Sequence, residues 1–415
     1  MPAAKSHKGA PDEDPASGGD RIGALPDEIL HRVLSFLPAQ QAVLTCVLAR
    51  RWLNLWKHAT GLRIVGADGK APVPFEAARE FVDILLLLRG GSPLERFEIR
   101  VAGAAVDVRR LRIWVRYALQ YEVQELRLSI DGRTPTWVWP EDPPLASRNL
   151  TCLELHGLVF NPMFLDMSRC PALQHLKIEN CSFMHVQRIS SQSLKHLVIK
   201  RGRFNNSSRT RIHVPNLASL ELKVSNGRTP VLDKMPLLVS AFVCILEKCA
   251  DCCSHSDNWD CGNESCGGCI QDDRSPVLLS SISKAKTLVL AACTKTFIFR
   301  RDLKLCPTFS RLKSLILHDY GVAQDNKSLV LCVTGVHALA CILEHSPVLE
   351  KLCLIFCKLK GVNMKIKGMF NPKGLPPTIS AHLKRVQVRC AVVDERVAEV
   401  LKLLNKLNIN FSFLE

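Results

Sequence analysis

The sequence predicts an α/β protein built from a short helical module, a long stack of repeated strand units and one polar insertion. A leucine-based phrase recurs every 21 or 23 residues in the middle of the 415-residue chain. Residues 20–62, ahead of it, carry apolar residues at helical spacing. Residues 249–269 hold six of the 18 cysteines and interrupt the repeats. These three patterns define the predicted architecture.

The composition is that of a folded protein, with 47% hydrophobic and 23% charged residues. No run approaches the ~20 apolar residues that cross a bilayer. Residues 1–19, which we expect to be disordered, contain no hydrophobic signal-peptide core. We therefore expect a protein of the cytoplasm or nucleus, without membrane association and with reduced thiols. The sequence contains no phosphate-binding loop, nucleophile elbow or zinc-protease motif, so we predict a non-enzyme without a cofactor.

The helical module begins at Pro26 and Asp27, which suit the first turn of a helix. Apolar residues follow on one face until Pro38, and two further short helices are predicted, the last around Trp52. Three helices of this length leave much apolar surface exposed, since small domains bury only part of their surface. We expect a partner to cover one face. The alternative is that these residues form the core of a helical cap on the next domain.

Several short motifs follow one another in this module: Leu25-Pro26, Ile29-Leu30, Leu37-Pro38, "TCVLARRW" at 45–52 and Leu55-Trp56. In this order they resemble the F-box, whose corresponding run has serine where this chain has Cys46 and Ala49. F-boxes dock on the Skp-family adaptor of cullin-RING ubiquitin ligases. The resemblance implies an adaptor-binding set supported by two further residues: Leu25, Pro26, Ile29, Leu30, Leu34, Leu37 and Pro38, with Val47 and Trp52.

The repeated phrase is a leucine, two other residues, a second leucine, one other residue and an aliphatic residue, as in "NLTCLELHGL" at 149–158. Its leading leucines are 23, 21, 23 and 21 residues apart at Leu150, Leu173, Leu194, Leu217 and Leu238. This period lies within the 20–29 residues of leucine-rich repeats. One unit cannot close its own core, but stacked units bury a continuous one.

We therefore predict an irregular leucine-rich-repeat solenoid in two parts, 75–243 and 276–379, with helices over 75–88, 107–120 and 335–347. The repeats resemble those that follow F-boxes in a large plant group. Residues 380–415 are similar to the strand-and-helix tail of that group and are predicted to cap the stack.

The insertion, residues 244–275, contains two Cys-x-x-Cys pairs thirteen residues apart, Cys249 with Cys252 and Cys266 with Cys269. Such pairs suit a tetrahedral Zn²⁺. The segment is also polar and rich in Gly and Asp, as expected of a loop inserted between repeats. Both interpretations stay open, and we adopt the loop without a metal.

The formal charge is +16, and seven Lys or Arg residues without an acidic neighbour lie between Arg188 and Arg211. A solvated surface is the first interpretation. An acidic protein, or the chain's own acidic stretch 251–273, is the second. Nucleic acid is the least favoured, because only Phe204 provides an aromatic ring among the basic residues.

Together these features predict a substrate-recognition subunit of a cullin-RING ubiquitin ligase. Its partners would be a Skp-family adaptor, cullin through that adaptor, and an unknown target protein held by the repeats. The alternative is a binding scaffold outside any ligase, with a zinc-stapled loop and a basic face that binds acidic protein or RNA.

Overall fold

The structure is a computed structural model. It describes residues 22–103, 106–132, 137–139, 145–160, 164–251, 277–293, 302–303, 306–320, 336–356, 382–391, 393, 395–407 and 409–414. Residues 252–275 of the predicted cysteine-rich insertion and the expected tail 1–19 lie outside these residues.

The chain opens with helices α1 (Asp27–Leu34) and α2 (Ala39–Leu44). Each follows a proline, Pro26 or Pro38, with φ of −56° and −52° respectively. Proline suits this position because its φ is fixed near that value and a helix start leaves its first N–H groups without intrahelical partners. The two prolines therefore set where both helices begin.

The second predicted helix continues beyond α2 as the 3₁₀ turn Thr45–Val47, and the third is present as two 3₁₀ turns, Arg50–Leu53 and Leu55–His58. Ala49 between the first two turns is extended, with φ −162° and ψ 163°, and Asn54 between the last two has φ −119°. These two residues separate the three turns. The module is therefore helical as predicted, with 3₁₀ turns at the position of the third helix.

The longer helices agree with the sequence. Helix α3 (Phe75–Arg89) and helix α4 (Val108–Gln120) cover the predicted segments. Asp107 caps α4 by accepting a 2.9 Å hydrogen bond from the N–H of Arg109, which satisfies a donor that the helix itself leaves open. Further helices in the described part of the chain are α5 (Leu279–Ile282), α6 (Val336–Glu344) and α7 (Glu395–Lys406).

Twenty-one short strands are described along the chain. They are β1 (Gly61–Ile64), β2 (Val73–Pro74), β3 (Arg96–Ala102), β4 (Glu125–Asp131), β5 (Trp137–Trp139), β6 (Cys152–His156), β7 (Leu158–Phe160), β8 (Phe164–Asp166), β9 (His175–Glu179), β10 (Ser182–Phe183), β11 (Arg188–Ser190), β12 (His196–Phe204), β13 (Arg211–His213), β14 (Ser219–Gly227), β15 (Val231–Leu232), β16 (Ser240–Cys249), β17 (Thr287–Cys293), β18 (Ser314–Tyr320), β19 (Lys351–Phe356), β20 (Arg385–Cys390) and β21 (Ser412–Leu414).

These strands form a long parallel sheet. Its main ladder runs β1-β3-β4-β6-β9-β12-β14-β16-β17-β18-β19-β20-β21. Strand β2 adds to β3, and β5, β7 and β10 form a shorter row that joins β12. A separate parallel sheet has the order β8-β11-β13-β15. The fold is thus α/β with helices at its start and along its ladder.

The strands are stacked in register, so that equivalent apolar residues face one another. Leu153 pairs with Leu176, Leu176 with Leu197, and Leu197 with Leu220. The five leading leucines of the repeated phrase are all fully buried. Every unit therefore buries the same positions, and its neighbours supply the surface against which they pack.

A stack of three phenylalanines lies beneath the short row of strands. The ring centroids of Phe160 and Phe183 are 5.1 Å apart, and those of Phe183 and Phe204 are 4.9 Å apart. The three rings are fully buried or nearly so. Offset rings at this spacing add to the free energy gained from burial alone, so one aromatic ring from each of three units ties the units together.

Candidate functional site

The helical module turns one apolar stripe of α1 inward. Leu30 and Leu34 have 0% and 1% of their surface exposed. They belong to one continuous core with Trp56 and Leu62, which links the module to the first strand of the sheet. This inner stripe explains how the module is held on the rest of the chain.

Hydrogen bonds add to this attachment. Arg89, almost fully buried at the end of α3, donates to the carbonyl of Ala59 at 2.8 Å. Arg63 on β1 donates to the carbonyl of Phe36 at 2.6 Å. Buried guanidinium groups need such acceptors, since an unpaired buried charge is costly. The module is therefore joined to β1 at the residue Phe36 that follows α1 and to α3 near its own C-terminal end.

A second set of apolar side chains in the module points outward. Its members are each 46–79% exposed and are Ile22, Ile29, Val33, Phe36, Leu44, Val47, Leu48 and Leu53. We call these eight residues the outer apolar face. Single exposed apolar residues are ordinary, but eight of them within one small module favour an interaction site.

The nine residues predicted to bind an adaptor fall into three groups. Pro26, Ile29 and Val47 are exposed. Leu25 and Leu37 are half-buried and pack against the core. Four side chains are buried in the chain itself, and these are Leu30, Leu34, Pro38 and Trp52.

The sequence reasoning missed most of the outer apolar face, including Phe36, Leu44, Leu48 and Leu53. A signal was available for part of it. Ile29, Val33 and Phe36 follow one another at intervals of four and three residues, the spacing of a single helical face. That stripe runs beside the one formed by the buried leucines.

Arg51 connects the two ends of the module. Its guanidinium donates to the carboxylate of Asp27 at 2.9 Å and to the carbonyl of Leu25 at 2.6 Å, and it also donates to the carbonyl of Gly23. The adjacent Trp52 is buried. Arg51 therefore joins the Arg-Arg-Trp segment to the Leu-Pro segment and holds the first turn of α1 in place.

His31 of α1 lies beside the last 3₁₀ turn, with its ring centroid 5.6 Å from that of His58. Partial burial lowers the pKa of His31, and the neighbouring His58 lowers it further. A neutral His31 ring avoids placing a cation beside the ring of His58.

The polar face of the sheet carries a row of alternating charges. Arg63, Glu98, Arg127, Glu154 and Lys177 occupy equivalent positions on five consecutive strands. Arg63 lies 2.8 Å from Glu98, and Glu154 lies 3.3 Å from Arg127 and 3.5 Å from Lys177. Opposite charges placed directly across neighbouring strands stabilise their pairing.

This row borders a shallow groove of about 280 Å³ on the same face. Arg127, Glu154 and Lys177 line it together with Asp131 and His156. The groove is lined by positively and negatively charged side chains, an arrangement suited to a polar ligand surface.

The basic run from Arg188 to Arg211 is partly neutralised within the chain. Arg209 forms a buried ion pair with Asp251 at 2.5 Å, and Arg211 lies 2.7 Å from Asp233. Lys200 lies 3.2 Å from Glu221. Asp251 opens the acidic stretch 251–273, so the structure connects at least this residue of the stretch to the basic run.

The two Cys-x-x-Cys pairs, which the sequence leaves open as a zinc site or a metal-free loop, fall largely outside the described residues. Cys252, Cys266 and Cys269, and the side chain of Cys249, lie outside the described residues. Seven described cysteines are free thiols, and these are Cys46, Cys152, Cys170, Cys181, Cys306, Cys341 and Cys353. Among the described helices, none combines the length and apolar content needed to span a bilayer.

Comparison with known proteins places these features in a family. Residues 22–60, which contain the whole outer apolar face, match the F-box domain. Over 380 residues the chain is 29% identical to the MEIOTIC F-BOX protein MOF of Oryza sativa subsp. japonica, covering 85% of this chain and 75% of that protein. The chain therefore carries an F-box domain and is similar to plant F-box and F-box/LRR-repeat proteins. An F-box/FBD/LRR-repeat protein of Arabidopsis thaliana is 27% identical over 412 residues, covering 90% of this chain and 84% of its own length.

The similarity to a further F-box/LRR-repeat protein of Arabidopsis thaliana is higher but local. It reaches 40% identity over 121 residues, which is 27% of this chain and 19% of that protein. The F-box/LRR assignment agrees with the family resemblance inferred from the sequence. F-box proteins in general are non-catalytic adaptors that bind a Skp-family subunit.

Proposed function

We propose that this chain is the substrate-recognition subunit of a cullin-RING ubiquitin ligase. Its F-box, residues 20–62, docks on a Skp-family adaptor, and the parallel strand stack is a leucine-rich-repeat solenoid that binds a target protein. The outer apolar face within the F-box match is the observation that carries the proposal. The chain would act in the cytoplasm or nucleus.

The different exposure of the predicted docking residues supports two different roles for them, contact with the adaptor and support of the face. Ile29 and Val47, which are exposed, would contact the adaptor directly. Leu30, Leu34 and Trp52 have too little accessible surface for that and would hold the face in shape. A target held on the stack would then be brought close to the ubiquitin-conjugating enzyme, which raises its effective concentration without any catalytic group on this chain.

The charged groove and row would contribute to target binding. They present positive and negative charges in a fixed order. Such an arrangement contributes to specificity for a complementary polar surface more than to affinity. The pairing of Arg209 and Arg211 with acidic residues of the chain leaves less free positive charge for RNA. No specific observation favours the scaffold alternative over the ligase subunit.

The test is capture of a purified plant Skp-family adaptor by the full-length chain. Val47→Asp places a charge on a side chain that is 79% exposed, and we expect a loss of about 2 kcal/mol or more, roughly 30-fold in Kd. Leu87→Asp is the matched control, because Leu87 on α3 is equally exposed but lies outside the F-box. It should bind the adaptor as the wild type does.

Two results would oppose the proposal. One is a well-folded wild-type chain that captures no Skp-family adaptor. The other is equal loss of binding in the Val47 and Leu87 variants, because that would show that a general effect of charge, and not the F-box face, determines binding.

A further inference from the structure

Two thiols and one imidazole converge in the second half of the stack, outside the sequence ranges of the F-box and of the cysteine-rich insertion. The ligand atoms of Cys306, Cys341 and His345 all lie within 4.8 Å of one another. Cys341 belongs to α6, His345 follows the end of that helix, and Cys306 precedes β18. Two separate segments of the chain therefore bring these groups together.

The supporting structure holds the three side chains in place. Cys341 and His345 are four residues apart, so they share one face of the helical turn. The N–H of Phe309 donates to the carbonyl of His345 at 2.8 Å, and this bond joins the segment of Cys306 to the end of α6. Phe309 and Leu339 are fully buried on either side of this contact. Ligands on packed elements keep the geometry that a metal ion requires.

The two thiols make only long contacts with backbone carbonyl groups, whereas the imidazole has a closer partner. The thiol of Cys341 is 3.6 Å from the carbonyl of Leu303, and the thiol of Cys306 is 4.0 Å from the carbonyl of Cys341. Nδ1 of His345 lies 2.9 Å from the carbonyl of Cys341. When Nδ1–H donates to this carbonyl, the lone pair of Nε2 is left for a cation, an arrangement common among metal-binding histidines.

We propose that Cys306, Cys341 and His345 bind a soft divalent cation, Zn²⁺ by preference, with water as the fourth ligand. Binding would release the two thiol protons to solvent, and the two thiolates would balance the charge of the ion. Thiolate and imidazole ligands select zinc over Mg²⁺ or Ca²⁺. Ligands around a tetrahedral Zn²⁺ with ~2.3 Å bonds to sulfur lie ~3.8 Å apart, so only small side-chain movements are needed.

The half-buried state of all three residues leaves room for the water. A site with three protein ligands and one water is the open form of zinc coordination. The ion would clamp the segment before β18 to the end of α6. This inference is independent of adaptor binding.

The experiment measures zinc in the full-length chain, purified under reducing conditions, loaded with Zn²⁺ and desalted. Cys341→Ser and His345→Gln are compared with the wild type and with Cys353→Ser, a control at another half-buried free cysteine. The insertion pairs are intact in all four proteins, so any zinc they hold cancels in the comparison. We expect the wild type and the control to hold about one zinc more per chain than the two site variants.

Cobalt provides a second readout. The visible absorption of thiolate-bound Co²⁺ should be weaker in Cys341→Ser, and Co²⁺ affinity should fall in His345→Gln by more than the ~10–100-fold that loss of a second-shell partner costs. His345→Gln decides the question if the serine variant fails to fold. Equal zinc in the wild type and both variants would overturn the proposal. So would a Cys306–Cys341 disulfide in the zinc-loaded protein, because the thiols would then be unavailable.

Discussion

Gly227, at the end of β14, packs directly against the neighbouring unit. A Cβ atom added there would lie 2.0 Å from the carbonyl oxygen of Phe204, and the residue has a φ of +84°. Gly157 is equivalent, with a φ of +75° and an added Cβ 2.0 Å from the carbonyl oxygen of Ile130. Gly227 ends one strand of the main ladder and Gly157 directly follows another, so close stacking of successive units requires a residue without a side chain at both places.

The cost of Gly227→Ala can be worked out from these contacts. The positive φ alone costs ~1–2 kcal/mol for an L-residue with a side chain. The Cβ must also move away by at least 1 Å to reach a separation that real Cβ atoms show. This movement would strain the hydrogen bond from Arg228 N–H to the carbonyl of Asn205 and that from Ala250 N–H to the carbonyl of Gly227, both 2.9 Å. At ~1 kcal/mol for each bond, the total is about 3–4 kcal/mol.

Gly69→Ala is the control for the dihedral angle. Gly69 has a φ of +71°, but an added Cβ would meet nothing closer than 3.8 Å. Its substitution should therefore cost only ~1–2 kcal/mol. Urea unfolding followed by circular dichroism measures both variants against the wild type. The steric argument fails if Gly227→Ala destabilises the protein no more than Gly69→Ala does.

Two further predictions concern buried charges. Burial raises the pKa of the Glu98 carboxyl, but Arg63 and Arg100 outweigh it and hold the pKa below its ordinary value. A depressed pKa stabilises the folded state above the ordinary value of 4.5 and loses this contribution as the pH falls. Glu98→Gln should therefore lower the free energy of unfolding by ~2 kcal/mol near pH 7. In unfolding measurements at decreasing pH, the difference in free energy between the variant and the wild type should become smaller. A difference that does not change with pH would contradict this prediction. Arg209→Met, which leaves Asp251 buried without its cation, should cost ~3 kcal/mol in urea, and a cost below ~1 kcal/mol would show that the buried pair contributes little.

The strand stack was the part of the fold most accessible from sequence. The phrase around Leu150 predicted a strand that alternates inward and outward residues, and β6 begins two residues later. Periodicity worked here because every unit meets the same neighbours, so one rule decides which positions are buried. It also placed α3 and α4 correctly, since both are long enough to show a clear apolar stripe.

Which F-box residues are exposed and which are buried was harder to predict from the sequence. Ile29 and Leu30 are both aliphatic and adjacent, yet one is 46% exposed and the other is fully buried. Which stripe of α1 turns inward depends on how the helix packs against Trp56 and the first strand. That packing is set by contacts between segments about thirty residues apart, which the local pattern does not contain.

Two features escaped the sequence reasoning for different reasons. The phenylalanine stack left a signal, because Phe160, Phe183 and Phe204 are 23 and 21 residues apart, the same period as the leucines. Cys306 and His345 left almost none, since 35 residues separate Cys306 from Cys341 and only the fold brings them together. Aromatic residues can thus be found by a search at the repeat period. The two cysteines and the histidine follow no such period, so a search of this kind does not find them.

The alternating charge row has an evolutionary consequence. Removal of the single unit that carries Arg127 would set Glu98 beside Glu154, and like charges directly across strands destabilise the pairing. Removal of two adjacent units would keep the sign pattern intact. In this half of the chain, only the gain or loss of an even number of units keeps opposite charges on neighbouring strands. Duplications and deletions that are retained should therefore involve even numbers of units.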